Sequence, residues 1–177
     1  DRTSRGLGDV YKRQILTATP SFRGRRIEAG LLSAGQDFDK NTNPFSVGLG
    51  KFVDLDKKDF IGKKALSSLE KKCRTWGLRV KESVALKGEN IFSNNKVIGR
   101  VTSSTWSPFQ VCGVAIIHLN NDQFGPSSVI DVKCSDGKIY KGEICSLPMY
   151  DKENEIVRGL IENIPTKPEP WPGIQTK

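Results

Sequence analysis

The sequence predicts an α+β protein in which short helices precede an antiparallel β-barrel. Helical spacing of apolar residues occurs in the first part of the chain, as at Ile27, Leu31 and Leu32. The second part holds short runs rich in β-branched residues, separated by turn residues such as Asp136-Gly137. Five or more such runs within roughly 75 residues, with no long helix between them, favour a compact antiparallel barrel or sandwich.

Two short helices are predicted in the first part. The first covers about 25–34 and ends at Gly35, because glycine often occupies the left-handed position that follows a helix. Residues 37–44 are predicted to be loop and residues 45–55 to be extended. The second helix is capped by Asp59 and turns one apolar side inward. The inward residues are Ile61, Ala65, Leu66 and Leu69.

The predicted strands alternate with turn signals through the second part. One run, VCGVAIIHL at 111–119, is nearly all apolar, because closing a barrel buries both of its sides. Asn94-Asn95 and Asp136-Gly137 are the two hairpin signals. The other runs are TWGLRV at 75–80, KVIGRVTSSTW at 96–106, VIDVKCS at 129–135 and KIYKGEICSL at 138–147.

Charge and cysteine usage argue against several function classes. The net charge is +8, but seven of the basic residues fall in the first 26 positions and the remainder of the chain mixes acids with bases. A nucleic-acid-binding face needs clustered charge, so we expect no nucleic-acid partner. No apolar run is long enough to cross a membrane as a helix, so we expect no membrane partner. The four cysteines are widely spaced, which favours a reducing compartment such as the cytoplasm.

Composition divides the chain into four parts. Residues 1–14 resemble translated sequencing-adapter DNA, so we expect them to be a disordered artefact. The native sequence would then begin near Ile15, within a longer protein. We expect 15–73 to be the end of a larger domain, 74–150 to be the barrel, and 151–177 to be a proline-rich tail.

Few residues could support catalysis on their own. His118 is the single histidine, and its alternation with Val114 and Ile116 predicts a hydrogen-bonded residue near a strand end. Gly48 and Gly50 lack the third glycine and the following helix of a phosphate-binding loop. Paired-cysteine, Walker and H-E-x-x-H motifs are absent from the sequence. We therefore assign no metal site and no catalytic residue.

A longer pattern resembles one family. Residues 25–66 follow R-[IL]-E-[AG]-G-L-x-x-Y-G-x-D, T-x-P, G-L-G and D-F-I-G-K-x-A-L in order, and so resemble the glycine cleavage T-protein family of folate-dependent aminomethyltransferases. Residues 99–119 resemble the matching barrel segment. The W-S-P at 106–108 and the L-L-S at 31–33 look most like the dimethylsulfoniopropionate demethylase branch.

The resemblance implies a role in one-carbon transfer. It implies tetrahydrofolate as the cofactor and a small-molecule methyl donor as the second ligand. Arg26, Glu28 and Trp106 would bind folate or substrate, and a guanidinium suits this because it can donate two hydrogen bonds to one carboxylate. Residues 15–73 would end a central folate-binding domain. The family's catalytic acidic residue would lie in a missing N-terminal part of the same chain, so we expect this fragment alone to be inactive.

Two departures from the family pattern bear on the substrate. Ala34 stands where the family has tyrosine, and Tyr150 is out of register with the family's C-terminal tyrosine. Both weaken the expectation of a glycine-cleavage substrate. One alternative is the folate-binding tail of a flavin-dependent dimethylglycine or sarcosine dehydrogenase. Another is a non-catalytic folate-binding iron–sulfur assembly factor, although its K-G-C-Y-x-G-Q-E signature is replaced here by KDFIGKKAL at 58–66.

Overall fold

A computed structural model describes residues 19–156 and 158–161. The expectations for residues 1–14, for a native start near Ile15 and for the prolines beyond 161 therefore lie outside the described residues. The elements are helix α1 (Thr19–Glu28), a 3₁₀ turn (Gly50–Phe52), helix α2 (Lys63–Ser67), and strands β1 (Thr75–Val80), β2 (Asn90–Ser93), β3 (Lys96–Ser107), β4 (Cys112–Leu119), β5 (Val129–Lys133) and β6 (Ile139–Cys145).

The six strands form a closed antiparallel barrel, which confirms the predicted fold class. The strand order is β1-β4-β3-β2-β5-β6, and β6 closes the ring by pairing with β1. Each of the five predicted runs contains a strand. The short strand β2 was not among the predictions, since only four residues form it. Because the barrel is closed, every strand is hydrogen-bonded to a neighbour on both sides and the sheet has no free edge.

Both predicted hairpins are present. Asn94 and Asn95 connect β2 to β3 with φ of 48° and 61°, and asparagine adopts this left-handed region more readily than most residues. Between β5 and β6, Gly137 has φ of 82° and donates its N–H to the Cys134 carbonyl. Tyr140 Oη donates to Asp136 Oδ2 at 2.6 Å across this turn. Local turn chemistry thus fixes the ends of four strands.

The run 111–119 is buried on both sides, as the sequence predicts, apart from exposed Val111 and half-buried His118. Ala115, Ile117 and Leu119 lie in the barrel interior. Val114 and Ile116 point to the outer side of the sheet, where Ile27 of α1 covers them. Helix α1 therefore packs on the outside of β3 and β4.

The first helix lies earlier in the chain than predicted. It ends at Glu28 instead of near residue 34, because Gly30 has φ of 69° and turns the chain away from the helix. A Cβ atom at Gly30 would lie 2.9 Å from Cβ of Leu147, so the chain passes close to the segment that follows β6. Gly35 also has positive φ, but open space surrounds it.

A second helix is present where the sequence predicts one, but its length and cap were predicted wrongly, as was the extended segment before it. Residues 45–55 form turns and the 3₁₀ element instead of a strand. Helix α2 has only five residues, preceded by Gly62 at φ of 92°, and Asp59 does not cap it. Ile61 is fully exposed and Leu69 is 37% exposed. A short helix needs tertiary packing to persist, and among the described residues no other helix or strand packs on α2.

Candidate functional site

The site is built where α1 crosses the outer face of the barrel. Gly24 lies close to β3: a Cβ there would be 4.0 Å from the Trp106 carbonyl oxygen. One turn later Ile27 is fully buried against Val114 and Ile116. This contact brings Arg25, Arg26 and Glu28 to the barrel surface, and three sets of polar contacts hold them there.

Arg26 is fixed by a buried ion pair with Asp37. Its Nη1 donates to Asp37 Oδ2 at 2.6 Å and to the Leu31 carbonyl at 2.7 Å, and its Nη2 donates to Ser103 Oγ at 2.9 Å. The Arg26 side chain is 10% exposed and that of Asp37 is 0% exposed. The pair therefore joins α1, the loop after it and strand β3.

Asp37 has a full set of hydrogen-bond donors. Thr102 and Ser103 each donate to its Oδ1 at 2.6 Å, and the Ser33 N–H donates to Oδ2 at 2.9 Å. Neighbouring residues of a regular strand face opposite sides, but the register between β3 and β4 shifts between Val101 and Ser103. This bulge lets two successive hydroxyls reach one carboxylate.

The protonation state of Asp37 follows from these contacts. Burial raises its pKa, but the hydrogen bonds from Ser103, Thr102, Ser33 and Arg26 outweigh burial, so that the pKa lies below its usual value. Asp37 is therefore an ionised, fully bonded carboxylate. It is suited to holding a guanidinium in place rather than to accepting a proton.

Glu28 forms a second buried link. Its side chain is 2% exposed, with Oε1 accepting from Ser107 Oγ at 2.5 Å and Oε2 from Arg25 Nη1 at 3.0 Å. The main-chain oxygen of Glu28 accepts the N–H groups of Met149 and Tyr150. The last residue of α1 is thereby bonded to the end of β3 and to the segment after β6.

Arg25 lies at the surface of this site. Its guanidinium carbon is 4.7 Å from the ring centroid of Phe109 and 5.7 Å from that of Tyr150. The two rings are themselves 5.7 Å apart. A cation close to two aromatic faces is held by electrostatic attraction while its other donors stay accessible, and the Arg25 side chain is 55% exposed.

These residues line a half-open depression of about 260 Å³. The depression combines two guanidinium groups, the carboxylates of Glu28 and Asp151, and apolar or aromatic walls. Its lining includes Phe22, Arg25, Arg26, Glu28, Leu31 and Tyr150. Within the described part of the chain, no group of three histidine, cysteine or acidic side chains could hold a metal ion.

Two of the three residues predicted to bind folate or substrate line this depression. Arg26 and Glu28 line it, with Arg26 paired to Asp37 and Glu28 paired to Arg25. Trp106 lies on β3 opposite Gly113, half-buried and outside the lining. Asp37 was missed, although it ends the G-x-D that closes the first part of the quoted pattern.

Comparison with known proteins gives a consistent result. Residues 74–151 match the family described as the glycine cleavage T-protein C-terminal barrel domain. The chain is 34% identical over 131 residues to an aminomethyltransferase of Prochlorococcus marinus. The aligned segment covers 71% of this chain and 35% of that relative. It is 35% identical over 156 residues to an aminomethyltransferase of Thermosipho melanesiensis, covering 82% of this chain and 42% of that relative.

A solved structure extends the likeness beyond the barrel. The glycine cleavage system aminomethyltransferase T from Bartonella henselae is similar with a TM-score of 0.64 and 28% identity. The match covers 73% of this chain and 38% of that chain. The chain thus spans well under half of the length of the relatives that it matches. Among the described residues, no helix is long and apolar enough to cross a membrane.

Proposed function

We propose that the chain is the C-terminal part of a tetrahydrofolate-dependent one-carbon transferase, because residues 74–151 match the glycine cleavage T-protein C-terminal barrel domain. The observation that carries this proposal is the structural match to an aminomethyltransferase over 73% of the chain, which reaches beyond the barrel. The proposed partners are tetrahydrofolate, a small-molecule donor of the one-carbon unit and an N-terminal part of the same protein.

The depression beside α1 is proposed as one wall of the ligand site. Tetrahydrofolate has a flat ring system and a carboxylate-bearing tail, and the lining offers both aromatic surface and guanidinium groups. Arg26 uses Nη1 and Nη2 for its protein partners, and Nε has no partner among the described residues. Arg25 presents an accessible guanidinium beside Phe109 and Tyr150.

In this proposal, the residues of this chain hold the ligand in position for the reaction. Tetrahydrofolate, when bound, supplies the nitrogen that receives the one-carbon unit. Asp37 and Ser103 would fix Arg26, and Glu28 would fix Arg25, so that both guanidinium groups hold the ligand in one orientation. We propose that Trp106 also binds folate or substrate, from the barrel side of the site. No catalytic residue is assigned to this chain.

A demethylase is the proposed subtype. Ala34 replaces the tyrosine of the aminomethyltransferase pattern. It is exposed and lies in the same loop as Asp37. Ala34 does not line the depression beside α1, so the missing ring and hydroxyl would change the part of the ligand site that lies beyond it. The W-S-P at 106–108 and the L-L-S at 31–33, which resemble the demethylase branch, support a methylated donor.

The test separates folate binding from stability. Arg26→Lys keeps a cation beside Asp37 but loses the planar fork, so we expect most of the stability to remain. Calorimetric titration with tetrahydrofolate should show binding weakened by roughly 1.5–3 kcal/mol, the range for a hydrogen bond to a charged group. The measurement is made on the protein with its own N-terminal part, because this chain supplies only one wall.

The matched control is Arg23→Lys, an exposed arginine of α1 that does not line the depression. It should bind tetrahydrofolate like the unsubstituted protein. If the longer protein binds tetrahydrofolate no better than this chain alone, or if Arg26→Lys matches its control, the proposed site is wrong. Turnover of dimethylated sulfur donors, measured against the aminomethyl reaction, decides the subtype.

A further inference from the structure

A row of polar side chains crosses the outer face of the barrel away from the depression beside α1. Thr75 of β1 lies directly opposite His118 of β4, and His118 lies directly opposite Arg100 of β3. Residues directly opposite each other in antiparallel strands share a face, with Cβ atoms about 5 Å apart. Ile117 and Leu119 point into the barrel, so His118 and its two neighbours in the row face outward.

The loop after α1 covers this row and leaves two adjoining depressions. The first, of about 310 Å³, is lined by Arg100, Lys87 and Asp39. The second, of about 230 Å³, is lined by His118, Arg74 and Asn43. Thr42 lines both. We call the two depressions together the Arg100 groove.

Arg100 has no ion-pair partner in the groove. Within the described part of the chain, no carboxylate lies within 4.0 Å of its exposed guanidinium, nor does it donate a hydrogen bond to another group. Asp39 is close enough for the charge of Arg100 to lower its pKa, after the larger effects of hydrogen bonds from Thr42 and Asn41. Asp39 is therefore bonded to its own loop rather than to Arg100.

The cations of the second depression are already paired. Arg74 donates to Glu70 at 2.6 Å and to the Asn120 carbonyl at 3.1 Å. Lys72 lies between Glu70 and Asp122. Asn43 accepts the Ser46 N–H at 2.9 Å through Oδ1, which identifies its other amide atom as the Nδ2 donor. That donor has no acceptor among the described residues.

His118 adds a further donor. Its Nδ1 is 3.0 Å from Thr75 Oγ1. When the threonine hydroxyl donates to Nδ1, the hydrogen of the neutral ring is on Nε2 and can be given to a ligand. Burial lowers the pKa of His118, and the charges of Arg100 and Arg74 lower it further. The ring is thus neutral at physiological pH and lies near the positive charge of Arg100, which forms no ion pair among the described residues.

We propose that the Arg100 groove binds an oxyanion, a phosphate or a carboxylate group, with Arg100 as the principal contact and His118 Nε2 and Asn43 Nδ2 as neutral donors. Arg100 lines the first depression, His118 and Asn43 line the second, and Thr42 lines both, so an unpaired guanidinium and two unused N–H donors lie along one groove that suits the acceptor oxygens of such a group. The proposal does not depend on the proposed folate site, since none of these residues lines the depression beside α1.

The test uses His118 as a reporter, because it is the single histidine of the 177-residue sequence. The pH titration of its ring protons is followed by nuclear magnetic resonance in the full chain. Inorganic phosphate and acetate are added in separate series, at constant ionic strength kept with sodium chloride. A bound anion favours the protonated ring, so the pKa of His118 should rise and saturate, with an apparent Kd on the order of 1–10 mM.

Two variants decide whether the change comes from the groove. Arg100→Gln should remove the saturable rise, whereas Arg23→Gln, an exposed arginine that lines neither depression, should keep it. A larger rise with phosphate identifies a phosphate-bearing ligand, and a larger rise with acetate identifies a carboxylate. The proposal is overturned if neither anion shifts the titration beyond the chloride control, or if Arg100→Gln responds like the unsubstituted chain.

Discussion

Asp37 shows how one side chain can join the two parts of the described chain. It follows α1 in a loop, yet it accepts hydrogen bonds from Arg26 on the helix and from Thr102 and Ser103 on the barrel. Its carboxylate is fully buried. A buried charge is tolerated only when it is paired and hydrogen-bonded, and Asp37 meets both conditions.

Removing the charge of Asp37 is expected to destabilise the protein. Asp37→Asn leaves the Arg26 guanidinium without its counter-ion, and breaking a buried pair in this way costs about 3 kcal/mol or more. Urea unfolding measures the loss. Asp39→Asn, an exposed aspartate two residues later, is the control and should change the free energy of unfolding much less. Equal effects in the two variants would mean that the Asp37 contacts add little.

The same carboxylate predicts a pH dependence. The pKa of Asp37 in the folded protein lies below the usual 3.8, so near that pH the unfolded chain binds more protons. The stabilisation is then present at neutral pH and is lost as the pH falls below about 4 towards the folded-state pKa. Unfolding midpoints measured from pH 7 down to acid should fall less steeply for Asp37→Asn. Parallel curves for the two proteins would contradict this.

At the scale of the elements, the strands could be predicted and the first part of the chain could not. Alternation and turn chemistry are local, so Asn94-Asn95 and Gly137 identify strand ends without knowledge of the fold. The end of α1 depends on Gly30, whose neighbours are Leu147 and Pro148, over a hundred residues away. The ligand-binding role of Arg26 stays a prediction, and its pairing with Asp37 could not be predicted because the hydroxyls that also bind Asp37 are brought together by a bulge in β3.

Two glycines test this distinction. Both Gly30 and Gly35 have positive φ, so alanine at either position incurs a strain of about 1 kcal/mol. At Gly30 the new Cβ would also lie 2.9 Å from Leu147, whereas at Gly35 it would meet nothing within 4 Å. Gly30→Ala should therefore lower the unfolding temperature clearly more than Gly35→Ala. Matching temperatures would mean that the approach to Leu147 relaxes freely.

At the scale of the molecule, the described chain has a dense barrel and a thinly packed flank. Residues 48–72 include no buried residue, and Phe52 and Ile61 are among the most exposed apolar side chains. The barrel, by contrast, encloses a continuous core around Ile91, Ile117 and Ile144. Local opening is easiest where few apolar contacts are lost, so the two regions should differ in stability.

Hydrogen exchange should separate the two regions. Amides of β1, β4 and β3 are expected to exchange last, and amides of 48–72 within the first minutes, because they open without disturbing the barrel core. Mass spectrometry of peptides from the exchanged protein measures both. Protection of 48–72 equal to that of β4 would show that this flank has a packed partner in the isolated chain.

The pairing of β1 with β6 also sets an order of events during synthesis. Gly77 leaves the ribosome long before Cys145, its partner across the closing seam. Until β6 emerges, β1 and β5 each present an unpaired edge, and the nascent barrel is an open sheet with apolar residues such as Leu78 uncovered. The nascent chain therefore exposes two unpaired strand edges until β6 has left the ribosome, and a chain that ends before residue 139 cannot close the barrel.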